Sequence, residues 1–91
     1  MWYVYVLHSK KVNHWYTGYT NDLKQRFKQH NQGQNFSTKH GVPWKLIYYE
    51  ACCSKIDARA REKYLKSGMG KRYIRNRLKV YFAETPPLTG L

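Results

Sequence analysis

The sequence contains few side chains that could bind a metal ion or carry out acid–base chemistry. Four of its five acidic residues have a structural explanation, at a helix start, at a strand end or in the C-terminal segment: Asp22, Glu50, Asp57 and Glu84. Glu62 is therefore the leading ligand if this chain binds a divalent metal. One protein carboxylate suffices for Mg²⁺ when water molecules and a substrate phosphate complete the coordination. The sequence has no phosphate-binding glycine loop and no metal-ligand spacing of His and Cys.

The elements that must position these side chains follow from the pattern of apolar, β-branched and turn residues. This pattern predicts the order ββαβαα. The predicted strands are Trp2–Leu7, Trp15–Tyr19 and Trp44–Glu50, and the predicted helices run from Asp22 to about Asn31, from Ser54 to about Lys66 and from Lys71 to about Phe82. We expect one α+β (α/β) domain over residues 1–83, with a small three-stranded antiparallel sheet flanked by helices, and a flexible tail over residues 84–91.

Two of the predicted helices direct polar side chains toward the core. The first helix has an inward stripe at offsets of 0, 3, 4 and 7, which consists of Leu23, Arg26, Phe27 and His30. The second helix places Glu62 on one face with Ala58 and Leu65. Because the burial of an unpaired charge is costly, Arg26 and His30 need partners. Gly18, inside the second strand, indicates a bulge or a close approach of backbone or of a ligand.

Charge and composition indicate a polyanionic partner. The 91 residues include 17 Lys and Arg against 5 Asp and Glu, so the formal net charge is +12, and 16% of the residues are aromatic. This length allows one domain, and the aromatic content excludes a disordered basic tail. Nucleic acid is favoured over a membrane surface because no long helix separates bulky apolar residues from its lysines. The leading phosphate-binding residues are Lys71, Arg75 and Lys79, at steps of four in the last predicted helix, together with Lys39.

An ordered set of residues, spread over nearly the whole chain, resembles the GIY-YIG nuclease family. Tyr3-Val4-Tyr5 and Tyr16-Thr17-Gly18 correspond to the two motifs of the family, and their site tyrosines are 11 positions apart. Arg26 follows 10 positions later, His30 another 4 positions later, and Glu62 lies in the next helix. The likeness covers residues 2–80 and looks greatest to small stand-alone bacterial members, which are related to the catalytic domain of the excinuclease C subunit. Tyr3 replaces the glycine of the first motif, and Thr17 replaces the isoleucine of the second.

The resemblance implies catalytic roles for Tyr5, Tyr16, Arg26, His30 and Glu62. Tyr5 would activate the attacking water, directly or through a hydrogen-bonded network, although tyrosine titrates near pH ~10 and needs a nearby cation. Tyr16 would hold the water or the scissile phosphate, and Arg26 would neutralise charge in the transition state. His30 would bind phosphate or share the proton network. Glu62 would bind one Mg²⁺ or Mn²⁺ ion, which stabilises the leaving oxygen.

The resemblance also draws attention to His8 and Asn76. His8 lies three residues after Tyr5, where some relatives carry a lysine. It would add positive charge near Tyr5 and contact nucleic acid. Asn76 is the one asparagine in the last predicted helix, and it is the candidate for a late asparagine that many members of the family supply to the site.

The five implied site residues also have structural explanations. Tyr5 and Tyr16 could be cross-strand aromatic neighbours. Arg26 and Glu62 could form a buried ion pair between two helices. His30 could be a core histidine with both ring nitrogens satisfied. The catalytic interpretation is favoured because it explains all five residues together, in one order and at one spacing.

We therefore expect a metal-dependent endonuclease that hydrolyses DNA phosphodiester bonds in repair or recombination. Its partners would be DNA and other repair proteins, and its sequence specificity would be low because no helix is built to contact base edges. The alternative is a catalytically degenerate module that binds DNA or structured RNA. The adjacent Cys52 and Cys53, and the absence of an apolar run of the ~20 residues that a membrane span requires, favour the cytoplasm.

Overall fold

A computed structural model describes residues 1–84 of the chain. Its strands are β1 (Trp2–Ser9), β2 (His14–Thr20) and β3 (Lys45–Cys52), and its helices are α1 (Leu23–Asn31), α2 (Lys55–Lys66), α3 (Gly68–Arg77) and α4 (Lys79–Ala83). A short 3₁₀ turn spans Lys39–Gly41. β1 is the central strand, and β2 and β3 pair with it in antiparallel directions. The expected α+β class, with a three-stranded antiparallel sheet flanked by helices, is confirmed.

The alternation of side chains along β1 divides the core into two layers. Val4 and Val6 face α2 and α3, where they pack with Ala58, Leu65 and Ile74. Tyr5 and Leu7 face the opposite side, where they pack with Trp44 and with the partly buried Leu23 and Phe27 of α1. The sheet thus has α1 on one face and α2 with α3 on the other, and Tyr5 belongs to the α1 face.

The C-terminal helical segment differs from the single helix expected over residues 71–82. α3 begins at Gly68, directly after Ser67, whose hydroxyl accepts a hydrogen bond from the backbone N–H of Gly70 at 3.2 Å. It ends at Arg77, and Leu78 separates it from α4 with φ −115° and ψ 32°. The order of elements is therefore ββαβααα, and Lys79 lies on a different helix from Lys71 and Arg75.

Two expectations concern the ends and surfaces of the chain. Glu84 forms the C-cap of α4, and residues 85–91 of the expected tail lie outside the described residues. None of the helices within residues 1–84 is long and apolar enough to cross a membrane.

A polar cluster joins β3 to α2 and α3. Arg61 donates from Nε and Nη2 to the carboxylate of Glu50 at 2.9–3.2 Å, and the Tyr48 hydroxyl donates to the same carboxylate at 2.8 Å. The Tyr73 hydroxyl lies 3.4 Å from that of Tyr48. Burial alone would raise the pKa of Glu50, but the hydrogen bonds from Arg61 and Tyr48 and the charge of Arg61 hold this pKa below its usual value. Glu50 therefore has a structural role.

Candidate active site

The structure places Tyr5 of β1 directly beside Gly18 of β2, as partners in the antiparallel ladder. The phenol ring lies across the glycine. A methyl group built on Gly18 would stand 2.5 Å from the Tyr5 hydroxyl oxygen and 2.7 Å from Cζ. Gly18 does mark a close approach, but the approaching group is the Tyr5 ring, where backbone or a ligand was expected. The absence of a side chain at residue 18 allows the Tyr5 hydroxyl to reach the outer strand of the sheet.

His30, near the end of α1, connects Tyr5 to the loop that follows the helix. Its Nε2 lies 2.9 Å from the Tyr5 hydroxyl, and its Nδ1 lies 2.8 Å from Thr38 Oγ1. Tyr5 and Thr38 are 1% exposed and His30 is 0% exposed. Burial lowers the pKa of His30 to about 4, and the positive charge of Arg26 contributes to the decrease. The ring is thus neutral near pH 7, and both of its nitrogens have hydrogen-bond partners within the protein.

Tyr16 lies on the same face as Tyr5 and His30. Its ring centroid is 6.3 Å from that of Tyr5 and 4.9 Å from that of His30. Because Tyr16 is half-buried while Tyr5 is fully buried, Tyr16 is the tyrosine of this pair with access to solvent.

Arg26 lies one helical turn before His30, on the side of α1 that faces Tyr5, and its side chain is exposed where a core position was expected. Its long side chain lies at the border of the apolar stripe of α1, from which a charged head reaches water. Burial raises the pKa of Tyr5 to about 12, while a hydrogen bond from Arg26 acts to lower it, Tyr16 raises it further, and the Arg26 charge again acts to lower it. The Arg26 guanidinium is therefore a neighbour of the Tyr5 hydroxyl.

Glu62 lies on α2, which packs against the other face of the sheet. Its side chain is 16% exposed and forms an ion pair with Lys66, with 2.9 Å between Glu62 Oε2 and Lys66 Nζ. The negative charge of Glu62 is the smallest of the influences that raise the pKa of Tyr5, which makes the carboxylate an electrostatic neighbour of the phenol. Within residues 1–84 the ion pair of Glu62 is with Lys66, so the alternative of an Arg26–Glu62 ion pair is wrong.

The chemistry of these donors restricts the metal that the site could hold. In the described part of the chain, no group of three or more His, Cys, Asp or Glu is placed to bind a metal ion. A structural zinc ion, which takes four protein ligands, does not fit. A single carboxylate such as Glu62 fits an Mg²⁺ ion that keeps several waters and takes its remaining ligands from a substrate phosphate.

His8 does not belong to this group. An offset of three residues along a strand places His8 and Tyr5 on opposite faces of the sheet. His8 is 5% exposed, and its Nδ1 lies 2.8 Å from the Tyr81 hydroxyl. Burial lowers its pKa, and the charges of Lys10 and Lys45 lower it further. The expectation that His8 adds positive charge beside Tyr5 is therefore wrong.

Three of the residues expected to bind nucleic acid meet at a groove on the other face of the sheet. This groove, of about 570 Å³, is lined by His8, Asn13, Trp15, Arg75, Lys79, Phe82 and Ala83. We call it the basic groove. The Arg75 guanidinium lies 5.2 Å from the centroid of the Trp15 ring. Lys71 is exposed at α3, and Lys39 lies in the 3₁₀ turn, with Nζ 4.5 Å from the Phe36 ring centroid. Arg75 and Lys79 therefore both line the basic groove, although they lie on different helices, α3 and α4.

Sequence patterns did not indicate every residue around Tyr5. Thr38 follows His30 by eight positions in a polar loop, and no periodicity predicts that its hydroxyl meets the buried ring. A polar cavity of about 210 Å³ lies beside the site and is lined by Arg26, Gln29, His30, Gln34 and Asn35. The three-residue spacing of Arg26 and Gln29 places both on one face of α1, so the side of the cavity that α1 forms was predictable from the sequence. Asn76 is exposed on α3.

Comparison with known proteins identifies the family. Residues 1–74 match the model of the GIY-YIG catalytic domain. The chain belongs to the GIY-YIG family. Similar GIY-YIG proteins include a UPF0213 protein of Clostridium perfringens, 43% identical over 65 residues that cover 70% of this chain and 69% of the relative. Another is a UPF0213 protein of Streptococcus pyogenes, 39% identical over 82 residues that cover 89% and 84% of the two chains. UPF0213 protein YazA of Bacillus subtilis is 46% identical over 57 residues, 62% and 58% of the two chains.

A solved structure has the same GIY-YIG architecture. The solution NMR structure of a UPF0213 protein of Bacillus halodurans is 35% identical, with 84% of each chain covered and a TM-score of 0.52. The resemblance to the GIY-YIG family is therefore confirmed, together with its fold.

Proposed function

We propose that this GIY-YIG protein is a divalent-metal-dependent endonuclease. It hydrolyses phosphodiester bonds of DNA in repair or recombination, with little intrinsic sequence specificity, and works with other repair proteins. GIY-YIG domains are usually nucleases. The observation that carries the proposal is the convergence of His30 and Arg26 on the Tyr5 hydroxyl, with the charge of Glu62 nearby.

Arg26 is suited to stabilise the negative charge that develops on the phosphate oxygens in the transition state. It is exposed, so a phosphate can reach it, and its guanidinium stays protonated and offers several N–H donors in a planar arrangement. Preorganised donors of this kind contribute about 10²–10³ to the rate of a reaction that builds charge on oxygen.

Tyr5 acts on the attacking water through its hydrogen bonds. Because its pKa is about 12, the phenol is protonated near pH 7 and is no preformed phenolate base. It can accept a proton from the water while its own proton passes to His30, which lies 2.9 Å away. Tyr16, which is half-buried beside both rings, orients the water or the scissile phosphate.

Glu62 would hold the metal ion. When bound, one Mg²⁺ or Mn²⁺ ion supplies Lewis-acid stabilisation of the leaving oxygen. Glu62 must first give up its ion pair with Lys66, whose side chain is 53% exposed. An ion pair with an exposed lysine contributes about 0–1 kcal/mol, so little free energy is lost when the metal ion takes the place of Lys66.

Phosphate contacts away from the reaction hold the substrate. Arg75 and Lys79 in the basic groove, Lys71 on α3 and Lys39 in the 3₁₀ turn supply positive charge without base-specific geometry. Such contacts give affinity that depends on salt and carry no sequence information.

A binding module without catalysis is the second candidate. Tyr5 is 1% exposed and Glu62 is paired with Lys66, so neither group is directly available in the free protein. This candidate predicts that the chain binds DNA or structured RNA and leaves both intact.

The proposed function is tested by nicking of supercoiled plasmid DNA. We expect nicked circles to accumulate with Mg²⁺ or Mn²⁺ and not in the presence of a chelator. Binding of the same plasmid, and of a structured RNA, is measured in parallel on the same preparation. Binding without metal-dependent nicking would support the binding module and contradict the nuclease.

A further inference from the structure

Thr38 is a buried residue whose hydroxyl does not cap its own segment. It is the N-cap of the 3₁₀ turn Lys39–Gly41, yet its side chain accepts no hydrogen bond from a backbone N–H of that turn. The hydroxyl lies 2.8 Å from Nδ1 of His30 instead. We propose that Thr38 is a positioning residue: it holds neutral His30 in the tautomer with the proton on Nδ1, so that Nε2 accepts the Tyr5 O–H. The tautomer of His30 is independent of the proposed function, whereas the effect on cleavage rests on it.

The direction of the hydrogen bonds follows from the burial of Tyr5. With 1% of its surface exposed, its hydroxyl proton needs an acceptor within the protein. Among the described residues, the side chains that hydrogen-bond to this hydroxyl are His30, through Nε2 at 2.9 Å, and Arg26, which can only donate. Nε2 must therefore be the acceptor and carry no proton. The single proton of the neutral ring is then on Nδ1 and is donated to Thr38 Oγ1.

Thr38 can take this proton because the surrounding loop fixes its position. Its hydroxyl is free to direct its own proton toward the carbonyl oxygen of Asn35, at 3.5 Å. The backbone N–H of Thr38 donates to the same carbonyl at 3.1 Å, and the Thr38 carbonyl accepts from Trp44 Nε1 at 2.7 Å. Trp44 is itself 6% exposed. The loop between α1 and β3 thus places the Thr38 hydroxyl beside Nδ1 of His30.

The tautomer decides whether Tyr5 can accept a proton from water. With the Tyr5 O–H directed toward His30, the remaining lone pair of the phenol oxygen is available to the attacking water. One O–H bond of the water breaks and its proton bonds to the Tyr5 oxygen, while the original Tyr5 proton passes to Nε2. The resulting hydroxide forms a bond to phosphorus as the bond between phosphorus and the leaving oxygen breaks, and the leaving oxygen takes a proton from solvent. In the opposite tautomer Nε2 already carries a proton, and this transfer has no acceptor.

The tautomer can be measured without any substrate. Long-range ¹H–¹⁵N correlation spectra of the ¹⁵N-labelled chain distinguish a proton on Nδ1 from one on Nε2. For the wild-type protein at pH 7 we expect the proton of His30 on Nδ1. Thr38→Val keeps the shape but removes the acceptor, so the ring should shift toward the Nε2 tautomer, and Thr38→Ser should restore the wild-type spectrum. A wild-type ring with its proton on Nε2 overturns the proposal even if the valine variant does not fold, and so does an unchanged spectrum of the valine variant.

Single-turnover cleavage gives the second readout. Positioned acid–base groups contribute about 10²–10⁴ to rates, so a misdirected Tyr5 should lose about tenfold or more in Thr38→Val, with recovery in Thr38→Ser. The matched control is Thr17→Val, the same exchange at a threonine that is 8% exposed and lies on the opposite face of the sheet. Equal losses in the two valine variants would contradict a positioning role. If the wild-type protein does not cleave DNA, the proposed function fails and the spectra still decide the role of Thr38.

Discussion

Gly18 is the residue at which one methyl group should disable the site. In Gly18→Ala the new Cβ would stand 2.5 Å from the Tyr5 hydroxyl, so the ring must leave its place beside His30. Overpacking of this kind costs about 1–3 kcal/mol, and we expect cleavage to be lost as well. Thermal unfolding and single-turnover cleavage measure the two effects.

Gly68 provides the matched control for this exchange. It begins α3 and has no neighbouring atom within 4 Å of the position of a Cβ. Gly68→Ala should therefore leave cleavage intact and add about 0.4–1 kcal/mol of stability, because the unfolded chain loses freedom. If both alanine variants behave alike, the contact between Tyr5 and Gly18 is not what makes glycine necessary.

Arg26 tests whether charge at the site acts on the reaction or on the fold. Because the side chain is exposed and has no ion pair with Glu62, Arg26→Ala should leave the unfolding temperature nearly unchanged. The single-turnover rate should fall by about 10²–10³ if the guanidinium meets charge in the transition state. Lys28→Ala removes another exposed cation from the same helix and controls for net charge. A loss of stability without a selective loss of rate would favour a structural role.

At the scale of the elements, the cluster around Glu50 should make stability depend on pH. The pKa of Glu50 is 4.5 when unperturbed and lower in the folded protein. The stabilisation is therefore fully present above pH 4.5 and is lost as the pH falls through the lower pKa of the folded state. Glu50→Gln should destabilise by about 1 kcal/mol near neutrality, since the partners are partly exposed. Urea denaturation of both proteins between about pH 7 and about pH 3 should show this difference narrowing, whereas a constant difference would contradict the assignment.

Periodicity predicted the strands and the first two helices because each buries one regular face. It could not predict the start of α3, because a glycine can either end a helix or allow close packing within one. The segment around Gly70 resembles a helix break, yet Gly70 is buried inside α3, where a methyl group would overlap the backbone of Tyr64 and Leu65. The glycine is there for close helix packing, and that reason exists only in the folded chain.

The candidate site was predictable to the extent that strand and helix geometry fixes it. The ladder position of Tyr5 and the inward position of His30 follow from periods of 2 and 3.6 residues. The same strand rule would have placed His8 on the opposite face, so that error was avoidable. The approach of Thr38 depends on a loop without periodicity, so no sequence rule predicts it.

At the scale of the whole molecule, the net charge of +12 should favour DNA binding through a few phosphate contacts at defined positions. We expect the exchange of Lys71, Arg75 and Lys79 together to Gln to weaken DNA binding equally for all sequences. Each lost phosphate contact lowers the slope of log affinity against log salt by about 0.7–0.9, so three true contacts lower it by about 2–3. Cleavage at saturating DNA should change little, because these groups lie outside the proposed chemistry.

A second basic stripe offers the matched control for this salt titration. Lys55, Arg59 and Lys63 on α2 have the same charges, the same spacing of four residues and similar exposure. Their exchange to Gln removes equal net charge away from the basic groove. If both triple variants lower the slope equally, the groove is not a preferred binding track, and binding is spread over the surface.

The most direct test of the central claim is to measure plasmid nicking and DNA binding by Glu62→Gln on one preparation, beside wild type and Glu84→Gln. Glu84 is an exposed carboxylate at the end of α4, so its exchange controls for the loss of one negative charge. We predict that Glu62→Gln loses metal-dependent nicking and binds DNA as tightly as wild type or slightly more tightly, because a negative charge near the phosphates is gone. Glu84→Gln should cut normally. Wild-type nicking by Glu62→Gln would contradict the account.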